Sequence, residues 1–288
     1  MRVYIALSMT AGAFLTCSLA AAAAPGRSPR SATLATTSAH ARARSVEVPA
    51  SSEATPQATP TTFVRTGAKT ASGPRWFKDA DGGVWLGKPA KGDEHNLDRI
   101  GNEQAAFGIY RLAEGSFGTA TPEVQLVKVE GKPLLLSKKV PLSEARSFSE
   151  DQLRRFGDGF VIDAWLANWD IGAAWQLAAD ASGKPVRTEG AGGGLFRTRG
   201  DPKGSAFTDE VLELQTMRDP LRATSFAFRK VSDRDLKEQI QRFAGWYPAH
   251  KSEIETLIDA TTMSAASAVA LKTKLGTRAQ WIIARARK

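Results

Sequence analysis

The sequence is poor in cysteine and histidine, with one cysteine and three histidines in 288 residues. Because a single cysteine cannot pair within the chain, a disulfide framework is excluded, and so is a cysteine-based metal site. His40, His95 and His250 are far apart and lie in polar contexts. This argues against a histidine-ligated zinc site and against a histidine-dependent nucleophilic triad.

Positive charge is in excess, since 39 Lys and Arg against 30 Asp and Glu give a formal net charge of +9. A basic protein favours acidic partners such as phosphates, nucleic acid or anionic lipid, but net charge decides nothing about fold. The basic residues are spread along the chain rather than grouped in blocks, as on an ordinary solvated surface. We therefore expect no nucleic-acid partner.

The first 62 residues are predicted to serve export rather than folding. Residues 1–24 have one Arg, an apolar run and small residues before a cleavage point near Ala22 to Ala24. This is typical of a secretory signal peptide, and the segment is too short and Ala-rich for a stable membrane span. A lipoprotein acylated at Cys17 is the alternative. Residues 25–62 are rich in Ser, Thr, Ala, Pro and Arg, which predicts a disordered segment.

From Phe63 onward, strand and helix patterns alternate and then give way to helices only. The predicted elements are strands in Phe63–Pro89, a helix over His95–Glu114, strands in Glu123–Val129 and Lys132–Val140, a helix over Ser149–Trp169, a hairpin in Trp175–Glu189, and helices over Asp209–Met217, Asp233–Phe243, Lys251–Asp259 and the C-terminus. This order predicts an α+β fold with a β-rich N-lobe over residues 63–140 and a helical C-lobe over residues 141–288.

Four of these elements carry polar residues suited to phosphate and metal chemistry. A Gly/Ser loop, Gly67 to Gly73, precedes a strand that ends near Lys88, and the next helix carries Glu103. Asp170 follows the second helix, and Glu189 enters a run of glycines. A kinase-like phosphotransferase needs a lysine for the phosphates, an acid that fixes this lysine, an aspartate for the acceptor hydroxyl and an acid for Mg²⁺.

From about Phe63 to Arg287 the chain resembles the atypical bacterial kinases of the HipA and phosphatidylinositol-kinase-like group, in particular the compact secreted-effector and phage-associated types. The segments that carry the resemblance are SGPRWFKDADGGVWLGKP, GNEQAAFGIYRL, DAWLANWDIG, VRTEGAGGGLFRTRG, ELQTMRDP and LGTRAQWIIAR. The resemblance implies a protein-kinase-like two-lobe fold, ATP with Mg²⁺ or Mn²⁺ as cofactors, and transfer of the γ-phosphate to a protein hydroxyl.

The resemblance also implies roles for individual residues. Lys88 would contact the ATP phosphates and pair with Glu103, and Asp170 would be the catalytic aspartate. Gln176 and Glu189 would hold the metal, where the family has Asn and Asp. The residues implied to bind nucleotide are Gly67, Ser72, Gly73, Lys88, Ser137 and Lys138.

At the two predicted metal positions, the side chains are longer than those of the family. Gln176 and Glu189 keep an amide and a carboxylate oxygen, but each adds one methylene. Mg²⁺ requires near-ideal octahedral geometry at about 2.1 Å, so a displaced ligand is costly unless the backbone compensates. Two hypotheses stay open, an active kinase and a pseudokinase that binds a nucleotide or a protein.

Export adds a constraint on activity, because a periplasm holds little ATP. Either the protein is delivered onward into an ATP-containing compartment such as a host cell, or it works as a secreted or periplasmic binding module. A third hypothesis is phosphate transfer to a small molecule or lipid, which the fold would also permit. We expect a monomer with an unknown protein substrate or partner.

Overall fold

A computed structural model describes residues 64–65, 75–89, 94–129, 132–140 and 148–287. These residues belong to one compact unit, Ala58–Lys288. The predicted signal peptide, the segment 25–62 and three predicted nucleotide-binding residues, Gly67, Ser72 and Gly73, lie outside the described residues.

The first part is a five-stranded antiparallel sheet with a long helix between its third and fourth strands. Its elements are β1 Val64–Arg65, β2 Arg75–Lys78, β3 Val84–Pro89, α1 Glu94–Phe117, β4 Val124–Val129 and β5 Lys132–Lys138. The strands stand in the order β1-β2-β3-β5-β4. Asp79 closes the β2–β3 hairpin, because its carboxylate accepts hydrogen bonds from the backbone of Asp81 and Gly83 and from Trp85 Nε1.

The second part is helical, apart from one small hairpin. Its elements are α2 Glu150–Gly157, α3 Phe160–Trp165, β6 Leu177–Ala179, β7 Pro185–Arg187, α4 Glu213–Thr216, α5 Asp233–Asp259 and α6 Ala265–Ala286. Strands β6 and β7 pair antiparallel. The predicted α+β fold class, a small β-rich part followed by a helical part, is confirmed. Among the described residues, no helix combines the length and the apolarity needed to cross a membrane.

The prediction of one helix over Ser149–Trp169 was wrong, because the chain breaks between α2 and α3. Gly159 occupies the break, and a Cβ there would lie 2.4 Å from Arg187 Nη2 and 2.6 Å from Thr119 Cγ2. The break therefore lets a buried arginine from β7 pass close to the backbone.

The two helices predicted on either side of Pro248 are one helix, α5. The proline ring costs a helix one hydrogen bond and strains the preceding turn. Here Phe243 and Trp246 before it and Ile254 after it are all buried in the same core, so shared packing keeps α5 continuous.

The core of the helical part is centred on α3, whose six residues are all buried. Trp165 packs its ring edge-on against Phe243 and Tyr247 of α5, with centroids 5.3 and 5.5 Å away. Its indole Nε1 donates to the Leu275 carbonyl at 2.9 Å. This packing fixes the end of α3, and the segment that follows carries Asp170.

Candidate functional site

Lys88 is placed by the register of the sheet. On β3 it stands opposite Leu135 of β5, and Leu135 packs with Leu97 and Ile100 of α1. Facing residues of paired strands share one side of a sheet, so Lys88 lies on the side that α1 covers. Glu103 follows Ile100 by one helical turn, and Lys88 Nζ lies 2.6 Å from Glu103 Oε1.

Glu189 reaches the same lysine from the hairpin. Its Oε1 and Oε2 lie 3.1 and 3.4 Å from Lys88 Nζ, and Oε1 also accepts from the Ala191 backbone at 3.0 Å. Burial acts to lower the pKa of Lys88, but the two carboxylates outweigh it and raise this pKa above its usual range. Burial raises the pKa of Glu103, and Lys88 opposes this shift. One ammonium is thus shared by two acids.

A buried ion pair fixes the hairpin that delivers Glu189. Arg187 and Asp163 are both fully buried, and Arg187 Nη2 lies 2.7 Å from Asp163 Oδ2. The same Nη2 donates to the Phe156 carbonyl at 2.9 Å. Burial raises the pKa of Asp163, and Arg187 opposes this shift. The pair anchors β7 to α3, two residues before Glu189.

Asn168 joins the segment of Asp170 to that of Glu189. It is fully buried, and its Nδ2 donates to the Tyr110 hydroxyl and to the Glu189 carbonyl, both at 2.9 Å. Its Oδ1 has no hydrogen-bond partner among the described residues. Asp170, two residues on, accepts a 2.9 Å hydrogen bond at Oδ2 from Thr198 Oγ1.

Lys203 ties the glycine run to the end of α3. It is 4% exposed, and its Nζ donates to the carbonyls of Ala167, Gly192 and Gly194 at 2.8, 2.6 and 2.8 Å. Burial lowers the pKa of Lys203 well below its usual range, and the nearby Arg278 acts in the same direction. Ala167 has a positive φ of 52°, a costly backbone conformation that this bond helps to hold.

The glycine run is a buried turn. Gly193 N donates to the Gly190 carbonyl at 3.0 Å, and Asn102 Nδ2 of α1 donates to the Gly193 carbonyl at 2.5 Å. Side chains would not fit here, because a Cβ at Gly192 would lie 2.6 Å from Asn168 Oδ1, and one at Gly194 would lie 2.4 Å from Asn102 Oδ1.

A small cavity of about 140 Å³ opens beside Asp170. Its lining residues are Trp169, Asp170, Gly192, Arg197, Thr198, Arg199, Asp201 and Lys203. The predicted site residues thus form two groups, with Lys88, Glu103 and Glu189 in one and Asp170 in the other. Asn168 links the groups through the Glu189 carbonyl.

The other predicted residues are less closely associated with these groups. Ser137 pairs with Leu86 of β3, two positions from Leu135 and so on the same side as Lys88. Lys138 is on the opposite side, where its Nζ lies 5.4 Å from the Trp85 ring centroid. Its side chain therefore does not reach Lys88, because neighbouring residues of a strand point to opposite sides.

The predicted role of Gln176 as a metal ligand stays a prediction. Its side chain makes no hydrogen bond to another described residue, and neither Gln176 nor Glu189 lines the cavity at Asp170. The described part of the chain contains no cluster of three or more His, Cys, Asp or Glu that could hold a metal on its own. The residues present fit a Mg²⁺ ion that arrives on nucleotide phosphates and is held by one carboxylate, because Mg²⁺ often binds in this way. Glu189 is the carboxylate predicted for this role.

Sequence reasoning missed Lys203, Thr198 and the Asp163–Arg187 pair. Their hydrogen-bond partners lie 9 to 36 positions away in the sequence, and no spacing pattern predicts these contacts. The one local signal was Asp163, a charged residue within an otherwise apolar segment.

No protein-family model matches the chain, and no curated protein matches it. Among solved structures, the chain is similar to a crystal structure of a Helicobacter pylori proinflammatory kinase, CtkA, with 14% identity and a TM-score of 0.46. The match covers 77% of this chain and 93% of that one. At this identity and TM-score, statements on function have to rest on the residues of the chain itself. The resemblance to the HipA and phosphatidylinositol-kinase-like group stays a prediction.

Proposed function

We propose that this chain is an exported, kinase-like protein that binds ATP with Mg²⁺ or Mn²⁺ and transfers the γ-phosphate to a protein hydroxyl. The observation that carries the proposal is the position of Lys88 between Glu103 and Glu189. The three residues come from a strand, a helix and a hairpin segment, and their ion pairs of 2.6 and 3.1 Å supply the lysine and the two acids that phosphoryl transfer requires.

The burial of the three side chains suits different tasks. The Glu103 side chain is 4% exposed and holds Lys88 from the buried side, whereas the side chains of Lys88 and Glu189 are 22% and 15% exposed. Incoming phosphates therefore meet Lys88 and Glu189 first, and Lys88 neutralises their charge. Glu189 is then free to turn from Lys88 to the metal. A bound Mg²⁺ would neutralise charge on the β- and γ-phosphates.

Asp170 is the residue proposed to act on the acceptor. Its carboxylate already accepts a hydrogen bond from the Thr198 hydroxyl, with 2.9 Å between the two oxygens. A general base has to lie within about 2.6–3.2 Å of the atom from which it takes a proton. Asp170 therefore has the geometry to orient an acceptor hydroxyl and receive its proton.

The second candidate is a pseudokinase, and the ion pair of Glu189 with Lys88 favours it. A Glu189 carboxylate that stays on Lys88 does not serve as a metal ligand. Such a chain would hold a nucleotide or a protein partner without transfer. Export is part of the first proposal and is supported by the sequence of residues 1–24. Delivery into a compartment that contains ATP, such as a host cell, is the further step that an active kinase requires.

The two candidates differ in one pair of measurements on the purified full-length chain. The first is the thermal shift caused by ATP with and without Mg²⁺, and the second is transfer of labelled γ-phosphate to casein or histone. We expect a Mg²⁺-dependent shift in the wild type and in Asp170→Ala, with transfer lost in Asp170→Ala. Lys138→Met, on the other side of the sheet from Lys88, is the matched control for Lys88→Met, which should lose both signals. A shift without transfer supports the pseudokinase. No shift with any nucleotide contradicts the kinase and the nucleotide-binding pseudokinase, and leaves a chain that holds a protein partner.

A further inference from the structure

Thr198 occupies the position at Asp170 where an acceptor hydroxyl would have to lie. Its Oγ1 is 2.9 Å from Asp170 Oδ2 and donates to it. Thr198 also lines the cavity at Asp170, so the hydroxyl fills part of the space that another acceptor would enter.

A short turn holds Thr198 in this place. Arg197 N donates to the Asp201 carbonyl and Gly200 N to the Arg197 carbonyl, both at 2.8 Å. Phe196 and Pro202 form a bridge on either side of this turn. Gly200 has a φ of 98°, a conformation that favours glycine.

Gly192 leaves the space that the Thr198 hydroxyl uses. A Cβ at this position would lie 2.7 Å from Thr198 Oγ1, closer than carbon and oxygen can approach. The approach of Thr198 to Asp170 therefore depends on a glycine in the facing loop.

The Thr198–Asp170 bond differs from the other bonds between a serine or threonine hydroxyl and a carboxylate among the described residues. Those bonds serve a turn or the start of a helix, and they join Ser182 to Asp180, Ser232 to Asp235, and Ser264 and Ser267 to Asp98. Thr198 and Asp170 are 28 positions apart, and neither caps a helix. A capping role does not explain the contact.

The charges around Thr198 suit a phosphate. Arg197 and Arg199 are its chain neighbours, line the same cavity, and form no ion pair with another described residue. The Arg197 guanidinium lies 4.8 Å from the centroid of the Trp169 ring, which orients it over the cavity. A phosphothreonine carries a charge of about −1.5 to −2 near neutral pH and pairs well with arginine.

We propose that Thr198 is a modification site that the chain phosphorylates on itself, in cis. The proposal rests on the proposed phosphotransferase function. The Thr198 oxygen attacks the γ-phosphorus of ATP, a new O–P bond forms, and the bond between this phosphorus and the β,γ-bridging oxygen breaks. ADP leaves with the electron pair, and the Thr198 hydroxyl proton passes to Asp170. The new phosphate is repelled by the Asp170 carboxylate and drawn to Arg197 and Arg199, so Thr198 leaves the acceptor position.

The test is incubation of the phosphatase-treated full-length chain with Mg²⁺-ATP, followed by intact-mass and peptide mass spectrometry. We expect one phosphate on Thr198, with a rate per molecule that does not change with protein concentration. Thr198→Val should abolish it, Thr198→Ser should retain it, and Asp170→Asn should slow it by about 100-fold or more. Thr208→Val is the matched control, because the Thr208 hydroxyl donates to the Glu210 carbonyl and lies outside the cavity at Asp170, and this change should leave labelling of Thr198 unchanged.

Failure of this inference can be told apart from failure of the proposed function. Transfer to casein or histone with Thr198 left unmodified overturns the inference alone. A rate that rises in proportion to protein concentration overturns the assignment in cis. Absence of all transfer, to Thr198 and to added proteins, overturns both.

Discussion

Lys88 Nζ lies 3.1 Å from Glu189 Oε1, although 101 positions separate the two residues in the sequence. The same ammonium is 2.6 Å from Glu103 Oε1, so one cation neutralises two acids. Without nucleotide phosphates, Lys88 therefore links β3, α1 and the segment after β7. Phosphates that bind Lys88 would compete with Glu189 rather than with Glu103, because among the described residues Lys88 is the cation that pairs with the buried Glu103.

Replacement of Lys88 by Met should destabilise the chain in a pH-dependent way. It leaves the Glu103 carboxylate buried and without its cation, at a cost of about 3 kcal/mol, the low end for a broken buried pair. Burial already raises the pKa of Glu103, and loss of Lys88 raises it further. Between the ordinary and the raised pKa, the folded variant binds more protons than the unfolded chain. Its free energy of unfolding therefore rises as pH falls through this window.

Urea unfolding of Lys88→Met at pH 7 and pH 5 measures this effect, with the wild type as reference. The deficit should shrink at pH 5. Lys138→Met is the control, because Lys138 is half exposed and pairs only with the exposed Glu123. A deficit that stays constant between the two pH values would contradict the placement of Glu103.

The sequence predicted the pairing of Lys88 with Glu103 and assigned Glu189 to the same site, but it predicted neither the Lys88–Glu189 ion pair nor the surroundings of Asp170. The strand end at Lys88, the helix that carries Glu103 and the hairpin before Glu189 are local features that a sequence pattern can predict. The kinase-like resemblance then predicted how these elements combine. The contacts of Lys203 and Thr198 depend on loops that meet only in the folded chain. The break before α3 has a similar cause, because Gly159 is needed only once Arg187 has come to lie beside it.

Removal of both charges of the Asp163–Arg187 pair should lower the free energy of unfolding less than removal of the Arg187 charge alone. Arg187→Met leaves a buried carboxylate without its partner, which should cost about 3–5 kcal/mol of unfolding free energy. Asp163→Asn combined with Arg187→Met removes both charges and should cost clearly less. Chemical unfolding of the two single variants and the double variant gives the comparison. Equal costs for Arg187→Met and the double variant would show that the charge on Asp163 plays no part.

Lys203→Met should loosen the loops at Asp170 as well as lower stability. Three buried carbonyls would lose their donor, and an unsatisfied buried polar group costs about 1–3 kcal/mol. Because removal of the buried charge offsets part of this, we expect a net loss of about 3 kcal/mol. Hydrogen exchange should rise at residues 190–194 more than elsewhere. Lys230→Met, which breaks an exposed ion pair with Glu150, should cost about 1 kcal/mol or less and leave this exchange unchanged.

Alanine at Gly192 and at Gly245 should have opposite effects on stability. A Cβ at Gly192 would lie 2.6 Å from Asn168 Oδ1 and 2.7 Å from Thr198 Oγ1. Asn168 is buried and bonded to Tyr110 and to the Glu189 carbonyl, so Thr198 has to move, and the overpacking should cost about 1–3 kcal/mol. Gly245 lies inside α5 with no atom within 4 Å of its Cβ position, and Gly245→Ala should stabilise by about 1 kcal/mol. Thermal unfolding measures both, and the release of Thr198 predicts that Gly192→Ala also loses self-phosphorylation at Thr198, whereas Gly245→Ala keeps it.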